Sequence, residues 1–413
     1  MDIRNNKLYL GGVSAETLAA EYQTPLYVYD QAVLAARLAE LRACLPLEKV
    51  RILYACKANT SVAVLRVLRE GGAGIDAVSP GEVFLALRAG FTPEEILFTG
   101  NNASEEDFLF CLDKGVMVNL GSLAEMELYG RIAPDTEVCV RINPDVGAGH
   151  HDHCITGGPE SKFGIYYDRM EEIKAAAARH RLRVTGIHAH IGSGILDTPT
   201  FLEAMQVIVN AARHLSDLEF VDFGGGIGVP YRPGQARLDL ADFGRQAATL
   251  FTAFCAEYGR KLTLVLEPGR YLVCEAGTLL IRALNRKTTP THTFIGTDSG
   301  FNHLIRPMAY GSYHQIVNAS RVEGGTEAVA VAGNLCESGD VFTRDEQGIK
   351  DREVTRIADG DILAIMNAGA YGYSMASNYN ARLLPAEVMV TSGTHRLVRR
   401  RQEFTDLLRG QVL

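Results

Sequence analysis

Two rhythms of apolar and polar positions divide the chain. Between about residues 50 and 270, short apolar runs alternate with longer amphipathic stretches. The short runs predict buried strands, and the amphipathic stretches predict helices that cover a sheet. The predicted strands are Val50–Lys57, Gly74–Ser79, Ile96–Gly100, Met117–Leu120, Val138–Pro144, Val184–Ile191, Glu219–Gly226 and Leu262–Gly269. Strands that alternate with helices indicate parallel pairing through right-handed crossovers.

Polar residues at the ends of these runs favour a closed barrel over an open doubly wound sheet, which could use the same alternation. The residues at or just after predicted strand ends are Lys57, Asp76, Asn143, His190, Gly224–Gly226 and Glu267. Barrel enzymes build their active sites at the carboxyl ends of the strands. We therefore predict an α/β fold with a (β/α)8 TIM-type barrel over residues 27–280.

The rhythm changes after about residue 280. Short alternating runs appear there, separated by Gly, Asp and Asn turns, and they predict a mostly antiparallel β-domain over residues 281–413. The predicted strands are Thr293–Thr297, Ala328–Ala332, Ile362–Met366 and Glu387–Val390. Residues 1–26, with a strand candidate at Lys7–Leu10, are expected to pack with this domain.

Composition narrows the class of protein. The chain has 413 residues and a net charge of −8, which argues against nucleic acid or an anionic membrane as partner. No run of about 18 apolar residues predicts a membrane span. The polar N-terminus lacks the apolar core of a signal peptide, so a cytoplasmic protein is expected. The eight cysteines are scattered and predict reduced thiols.

Lys57 ends an apolar strand within Tyr54-Ala-Cys-Lys-Ala-Asn59. A lysine in the mouth of a barrel is desolvated, which lowers the pKa of its amine and favours attack on an aldehyde cofactor. Taken alone, the same residue is more often a lysine whose ammonium reaches solvent at a strand end. Its neighbours in the predicted site decide between these readings.

Two glycine-containing turns predict a phosphate site. Gly224-Gly-Gly226 follows the seventh strand and Pro268-Gly-Arg270 follows the eighth, where barrel enzymes commonly bind phosphate. Glu267, which closes the eighth strand, could hold a pyridine nitrogen protonated. His190 could supply a flat face for the ring, and the Ser193 hydroxyl could donate to the phosphate.

Two histidine-rich segments raise the question of a metal. His188 and His190 face one side of a strand, but zinc needs three or four ligands and no third lies nearby in the sequence. His150-His-Asp-His-Cys154 is rich in ligands, yet it lies in a glycine-rich stretch that favours a loop over the barrel mouth. We predict no metal site.

Six motifs occur in an order that resembles the fold-type III pyridoxal-phosphate-dependent decarboxylases, the group that includes alanine racemase-like and ornithine decarboxylase-like proteins. They are Tyr54–Asn59, His188–Gly194, Gly224–Gly226, Glu267–Arg270, Cys336-Glu-Ser-Gly-Asp340 and Gly369-Ala-Tyr-Gly372. Within that group the chain resembles the diaminopimelate decarboxylases along almost its whole length. One departure is Ser377–Pro385, which lacks the Arg-Pro-Arg-Pro sequence of many relatives.

The resemblance implies the cofactor and its ligands. Lys57 would carry the internal aldimine of pyridoxal 5'-phosphate, with Asp76 supporting the lysine. His190 would stack on the ring, and Glu267 would hold the pyridinium nitrogen. The residues around the phosphate would be Ser193, Gly225, Gly226, Gly269 and Arg270, with Tyr371 near both cofactor and substrate.

The resemblance also implies a homodimer with composite active sites. Cys336 and Glu337 would reach in from the partner subunit, and Cys336 would protonate the carbon from which carbon dioxide leaves. The reaction would convert meso-2,6-diaminopimelate to L-lysine, the last step of lysine biosynthesis.

Substrate choice depends on the far end of the substrate. Arg306 could bind the second carboxylate bidentately, although alone it could equally form a surface salt bridge. The other expected substrate-binding residues are Arg270, Tyr310, Glu337 and Tyr371. The alternatives are a decarboxylase of ornithine, arginine or a D-amino acid, an amino-acid racemase on the same barrel, and a catalytically silent binding protein.

Overall fold

The computed structural model describes residues 2–149 and 157–412, arranged in two compact units. The barrel unit comprises Ala35–Val229 and Ala236–Leu272; the β-unit comprises Met1–Leu34, Pro230–Gln235 and Val273–Leu413. The His150–Cys154 segment lies outside the described residues.

The strands are β1 (Asp2–Arg4), β2 (Lys7–Leu10), β3 (Val13–Ser14), β4 (Leu26–Asp30), β5 (Val50–Ala55), β6 (Gly74–Ala77), β7 (Ile96–Phe98), β8 (Met117–Leu120), β9 (Glu137–Asn143), β10 (Ala148–Gly149), β11 (Ile165–Tyr166), β12 (Arg183–His188), β13 (Gly192–Ser193), β14 (Phe220–Asp222), β15 (Thr263–Leu266), β16 (Gly277–Thr288), β17 (Thr293–Thr297), β18 (Ile316–Asn318), β19 (Thr326–Ala332), β20 (Arg344–Asp345), β21 (Gly348–Ile349), β22 (Arg352–Thr355), β23 (Ile362–Ile365), β24 (Ala386–Thr391) and β25 (Thr394–Arg399). The helices are α1 (Ala15–Tyr22), α2 (Gln31–Ala43), α3 (Val62–Glu70), α4 (Pro80–Ala89), α5 (Glu105–Lys114), α6 (Leu123–Ile132), α7 (Met170–His180), α8 (Thr198–Ala212), α9 (Leu240–Tyr258), α10 (Arg270–Val273) and α11 (Arg306–Tyr310).

The barrel unit contains a closed parallel barrel. Its strand order is β9-β12-β14-β15-β5-β6-β7-β8, and a β8–β9 pairing closes the ring. Leu53, Leu97, Cys139 and Val265 come from four of these strands and pack into one buried cluster. The predicted TIM-type barrel is confirmed, and its strands bring the residues at their carboxyl ends to one face.

Side-chain caps explain why several barrel helices begin where they do. The hydroxyls of Ser79, Ser104 and Ser122 accept hydrogen bonds from backbone N–H groups three residues later, at the starts of α4, α5 and α6. Asp197 and Asp239 cap α8 and α9 in the same way. These caps satisfy N–H groups that lack partners within the helix.

The β-unit is built on a mostly antiparallel sheet, as predicted. Its strand order is β22-β19-β17-β16-β4-β24-β25, and β23 joins β16 to β18. The division between the units differs from the expected boundaries after residues 26 and 280, since it falls after Leu34 and Leu272. The reason at the first boundary is that β4 pairs with β16 and β24 in this sheet.

Among residues 2–149 and 157–412, no helix combines the length and apolar character needed to cross a bilayer.

Candidate active site

Lys57 and Asp76 form an ion pair at the carboxyl end of the barrel strands. Lys57 lies in the short 3-10 turn that follows β5, and its Nζ donates to Oδ2 of Asp76 over 2.9 Å. The Asp76 side chain is 1% exposed, whereas that of Lys57 is 37% exposed. Burial, and next the nearby Glu267 carboxylate, raise the pKa of Asp76, while Lys57 opposes the shift. The pair holds the lysine amine at the barrel mouth.

Glu267 is held by a histidine. It directly follows β15 and is buried, and its Oε2 lies 2.9 Å from Nε2 of His188, which is also buried. Burial by itself raises the pKa of Glu267, but the attraction and hydrogen bond of His188, and next the Lys57 charge, together outweigh burial and lower the pKa to about 2. Glu267 therefore stays ionised in a buried position.

Asp222 completes a cluster with these two residues. Ligand atoms of His188, Asp222 and Glu267 lie within 4.8 Å of one another. Burial, and next the Glu267 charge, raise the pKa of Asp222 well above its usual range. One carboxyl is thus neutral and the other ionised, as expected for two buried acids that share a small volume.

His190 and the glycine turn are linked. The N–H of Gly225 donates to Nδ1 of His190 over 3.1 Å. Burial of the imidazole, and next the Lys57 charge, lower the pKa of His190 well below its usual value, so its ring is neutral. A Cβ at Gly225 would lie 2.1 Å from the carbonyl oxygen of Glu267, and Gly226 has φ +114°. Only glycine fits this turn without displacement.

Arg270 and Ser193 contact each other within the barrel unit. Arg270 is buried at the start of α10, and its Nε and Nη2 lie 3.2 and 3.1 Å from Oγ of Ser193. Gly269 precedes it, where a Cβ would meet the Cβ atoms of Ala55 and Ala58 at 3.1 and 3.2 Å. A buried guanidinium and a hydroxyl are donors suited to a phosphate.

Arg306 lies in the β-unit, at the start of α11, and is buried. Its Nη2 donates to Oγ of Ser312 over 3.0 Å, and its Nε lies 3.4 Å from Nε2 of His314. The guanidinium carbon lies 5.2 Å from the centre of the Tyr231 ring. These contacts fix the orientation of the guanidinium, and they exclude the surface salt bridge that was the alternative for this residue.

The other predicted residues of the β-unit lie in three places. Tyr310 ends α11 and is half-buried, and Tyr371 has the unusual φ of +56°. Cys336 and Glu337 are exposed. The structure thus groups the predicted cofactor residues other than Tyr371 within the barrel unit, and it places Tyr371, the other three residues and Arg306 in the β-unit.

Known proteins resemble this chain both over the barrel unit and over its whole length. A family model described as "Pyridoxal-dependent decarboxylase, pyridoxal binding domain" matches residues 31–274. Diaminopimelate decarboxylase from Methanothermobacter thermautotrophicus is 46% identical to this chain, over 98% of this chain and 95% of its own length. The chain belongs to the diaminopimelate decarboxylase family.

Solved structures agree with this membership. Diaminopimelate decarboxylase from M. jannaschii matches with a TM-score of 0.91 and 32% identity, over 100% of this chain and 97% of that one. The enzyme from Helicobacter pylori, complexed with L-lysine, matches with a TM-score of 0.87 and 33% identity, over 95% and 98%. The predicted family, fold and enzyme class are confirmed.

The cofactor of this family, pyridoxal phosphate, suits the barrel unit. Oε1 of Glu267 is buried and has no hydrogen-bond partner among the residues that the structure describes, as expected of an acceptor meant for a ligand. The Lys57 amine, the neutral His190 ring and the Arg270–Ser193 pair supply the other groups that the cofactor needs.

The contacts of His188 and Asp222 with Glu267 were not predicted from the sequence. His188 was considered only as a metal ligand, for which no third ligand lies nearby in the sequence. The parallel register places His188 opposite Asp222, and Asp222 opposite Val265, two residues before Glu267. A polar residue ending each of two apolar strands was the available signal, but only the register of the barrel strands shows that the two residues meet.

Proposed function

We propose that this member of the diaminopimelate decarboxylase family converts meso-2,6-diaminopimelate to L-lysine and carbon dioxide. The observation that carries the proposal is the buried Glu267, held ionised by His188, in a barrel that also presents the Lys57 amine. Similarity to named diaminopimelate decarboxylases over nearly the full chain supports the substrate.

The barrel residues bind and orient the cofactor in this proposal. Bound pyridoxal phosphate supplies an electron sink for the pair left behind when a carboxylate leaves as carbon dioxide. Lys57 would offer its amine to the cofactor aldehyde, and Asp76 would keep that amine in place. Glu267 would hold the cofactor ring nitrogen as an ionised acceptor, and the neutral His190 would contact the ring.

Phosphate recognition falls to the glycine turn and the Arg270–Ser193 pair. Gly225 and Gly226 let backbone N–H groups approach the phosphate closely, and Gly269 lets the chain pass beside Ala55. Arg270 adds a buried positive charge, which is stronger in this environment than at the surface.

Cys336 is the proposed proton donor. The bond from the α-carbon to the carboxylate breaks and leaves its electron pair on that carbon. The Cys336 thiol gives its proton to the carbon, a C–H bond forms, and the thiolate regains a proton from water. One proton is therefore consumed for each carbon dioxide released.

A homodimer with composite sites is part of the proposal. Cys336 and Glu337 are exposed on the β-unit, so they are accessible to a second subunit. The partner subunit's Cys336 would then serve the barrel of this chain. We also propose a cytoplasmic location, because a thiol acid requires a reducing compartment.

Arg306 would select the substrate. Its fixed guanidinium can bind the second carboxylate of diaminopimelate bidentately, with Arg270, Tyr310 and Tyr371 assisting and Glu337 meeting the distal ammonium. A substrate that ends in an amine, such as ornithine, would place a positive charge near a buried positive charge. A D-amino acid or arginine decarboxylase remains the alternative within the same fold.

The test is a parallel assay of carbon dioxide release with meso-diaminopimelate, ornithine, arginine and D-amino acids. We expect release, together with L-lysine, from diaminopimelate alone. Arg306→Lys keeps the charge but loses the planar fork, so it should raise KM for diaminopimelate by about 10-fold or more. Release from another substrate alone would overturn the substrate assignment. Carbon dioxide release from no substrate, by protein that binds the cofactor, would favour a racemase or a silent binding protein.

A further inference from the structure

The loop that carries Cys336 is anchored at its base by a buried carboxylate. This Cys336 loop spans residues 333–340. Asp340 accepts a hydrogen bond from the N–H of Phe301 to Oδ1, over 2.7 Å, and one from the N–H of Leu335 to Oδ2, over 2.8 Å. A Cβ at Gly333 would lie 2.2 Å from the same carboxylate. The base of the loop is therefore closely packed around Asp340.

The exposed tip of the loop has a different anchor. The N–H of Cys336 donates to Oδ1 of Asn380 over 2.7 Å. Two residues further along, Nη2 of Arg382 donates to the carbonyl oxygen of Asn334 over 3.0 Å. Both side chains come from the 377–385 segment, whose sequence departs from that of many relatives. This segment thus contacts the loop through side chains, at Asn334 beside its base and at Cys336 in its exposed part.

The segment is itself tied to the base of the loop. The ring of Tyr379 stacks on Phe301, with centres 5.6 Å apart and an angle of 19° between the planes. The N–H of Ser377 donates to the carbonyl oxygen of Asn302 over 2.8 Å. Phe301 in turn donates to Asp340. The base of the loop and its exposed part are therefore both held by the same group of neighbouring residues within the β-unit.

The backbone at Asn380 indicates that the contact serves more than folding. Asn380 and Ala381 both have φ of +55°, a left-handed conformation that is unfavourable for alanine. Both residues are exposed, so burial does not offset this strain. Strain that persists at an exposed position is a feature of sites where geometry matters.

We propose that Asn380 is a positioning residue for Cys336. By accepting the Cys336 N–H, it fixes the backbone at the one residue whose thiol must meet the α-carbon on a defined face. The inference rests on the proposed role of Cys336 as proton donor. It assigns Asn380 to the protonation step and leaves carbon dioxide release to the residues of the barrel unit.

Two substitutions at Asn380 separate the hydrogen bond from the backbone strain. Asn380→Gly keeps the left-handed conformation at no steric cost and removes the acceptor. Asn380→Asp keeps an acceptor oxygen at the same place. Ala381→Gly is the matched control, because it relieves strain in the same turn and leaves the acceptor intact.

The measurement is the amount of L-lysine formed per carbon dioxide released, in the holoenzyme with diaminopimelate. For Asn380→Gly we expect this ratio to fall clearly below one and lysine formation to slow by about 10-fold to 100-fold. With the acid misplaced, some of the decarboxylated substrate would take its proton at the cofactor carbon instead of the α-carbon, and hydrolysis would then release an aldehyde in place of lysine and leave the amino group on the cofactor. Asn380→Asp should restore the ratio, and Ala381→Gly should leave it at one. Cofactor absorbance should be unchanged in all three variants, and melting temperatures should change by under about 2 °C.

Cys336→Ala distinguishes failure of this inference from failure of the proposed function. If Cys336→Ala lowers lysine formation strongly and Asn380→Gly leaves both rate and ratio unchanged, Asn380 has no positioning role. A large loss of melting temperature in Asn380→Gly with an unchanged ratio would make the contact purely structural and would also overturn the inference. If Cys336→Ala itself keeps full lysine formation, the proton donor has been wrongly assigned.

Discussion

Replacing His188 with leucine should disable Glu267 without altering the carboxyl group itself. Nε2 of His188 lies 2.9 Å from Oε2 of Glu267, and both side chains are at most 3% exposed. His188 Nδ1 has no hydrogen-bond partner among the described residues, so the ring proton belongs on Nε2, where it is donated to Glu267. Leucine fills much of the imidazole volume and donates nothing.

The expected magnitude follows from the environment of Glu267. Burial raises the pKa of this carboxyl, and the attraction and hydrogen bond of His188, and next the Lys57 charge, reverse the shift and lower it to about 2. Without His188, burial of the carboxyl favours the protonated acid, and the Lys57 charge is left to oppose it. The hydrogen bond to the cofactor nitrogen then loses its charge assistance, worth about 1.5–3 kcal/mol. Cofactor affinity should fall by about 10-fold to 100-fold.

The dependence of this loss on pH gives the sharper result. A folded-state pKa below the ordinary value of about 4.3 means that the contribution of ionised Glu267 is complete above pH ~4.5 and is lost as pH falls towards 2. In the leucine variant the pKa should be higher, because the attraction and hydrogen bond of His188 no longer offset burial, so Glu267 should ionise at a higher pH than in the unaltered enzyme. The affinity of the variant relative to that of the unaltered enzyme should therefore recover as pH rises.

The assay is cofactor dissociation, measured by equilibrium dialysis between pH 6 and 9, with the ring-nitrogen protonation followed by NMR of 15N-labelled cofactor. His180→Leu is the control, because His180 also bonds a glutamate, Oε2 of Glu127 at 2.8 Å, but that glutamate is 32% exposed. The control should bind cofactor normally. An unchanged affinity and a protonated ring nitrogen in His188→Leu would refute the reasoning, and so would an equal loss in both variants.

Two further predictions concern the lysine and the dimer. Lys57→Ala should abolish the visible absorbance of the lysine-bound cofactor, measured by spectrophotometry. Lys57→Arg should abolish it too, although it keeps a positive charge beside Asp76. An absorbance band that survives in either variant would remove Lys57 from its role. Mixing inactive Lys57→Ala and Cys336→Ala subunits should restore about a quarter of the unaltered activity, because half of the dimers are mixed and each mixed dimer has one intact composite site out of two. Native mass spectrometry would verify that the subunits have exchanged. No recovery of activity after that exchange would argue that each site is built within one chain.

The barrel could be predicted from the sequence because the apolar pattern of each strand and helix is visible within a short stretch of residues. The eight predicted strands correspond to β5, β6, β7, β8, β9, β12, β14 and β15. The strand β4 was not predicted, and most of its residues fell within the range 27–280 assigned to the barrel. Its partners are β16 and β24, which lie about 250 and 360 residues further along the chain, so no local pattern could assign it. Pairing over such separations is decided by tertiary packing.

Some residues of the candidate site could likewise be predicted from local sequence, whereas their contacts could not. Lys57 and Glu267 could be selected because strand ends in a barrel face the site. The chemistry of Lys57, Glu267 and Arg306 suggested roles that the resemblance made specific, whereas the role of Cys336 came from the resemblance alone; all four roles stay predictions. The sequence His188-Ala-His190 does not reveal that His188 bonds Glu267 while His190 accepts the N–H of Gly225. That difference depends on the position of β12 between its neighbours.

The 377–385 segment carries Arg382-Leu-Leu-Pro385 rather than Arg-Pro-Arg-Pro. Leu383 and Leu384 make their hydrogen bonds through backbone atoms that any non-proline residue could supply. The Leu383 carbonyl oxygen bonds Nε2 of His303 over 3.1 Å, and the Leu384 N–H donates to Gln402 over 2.9 Å. Asn380 and Arg382 instead use side chains to hold the Cys336 loop. The departure therefore spares the contacts through which this segment would act on Cys336, and substitutions at Asn380 should matter far more than those at Leu383.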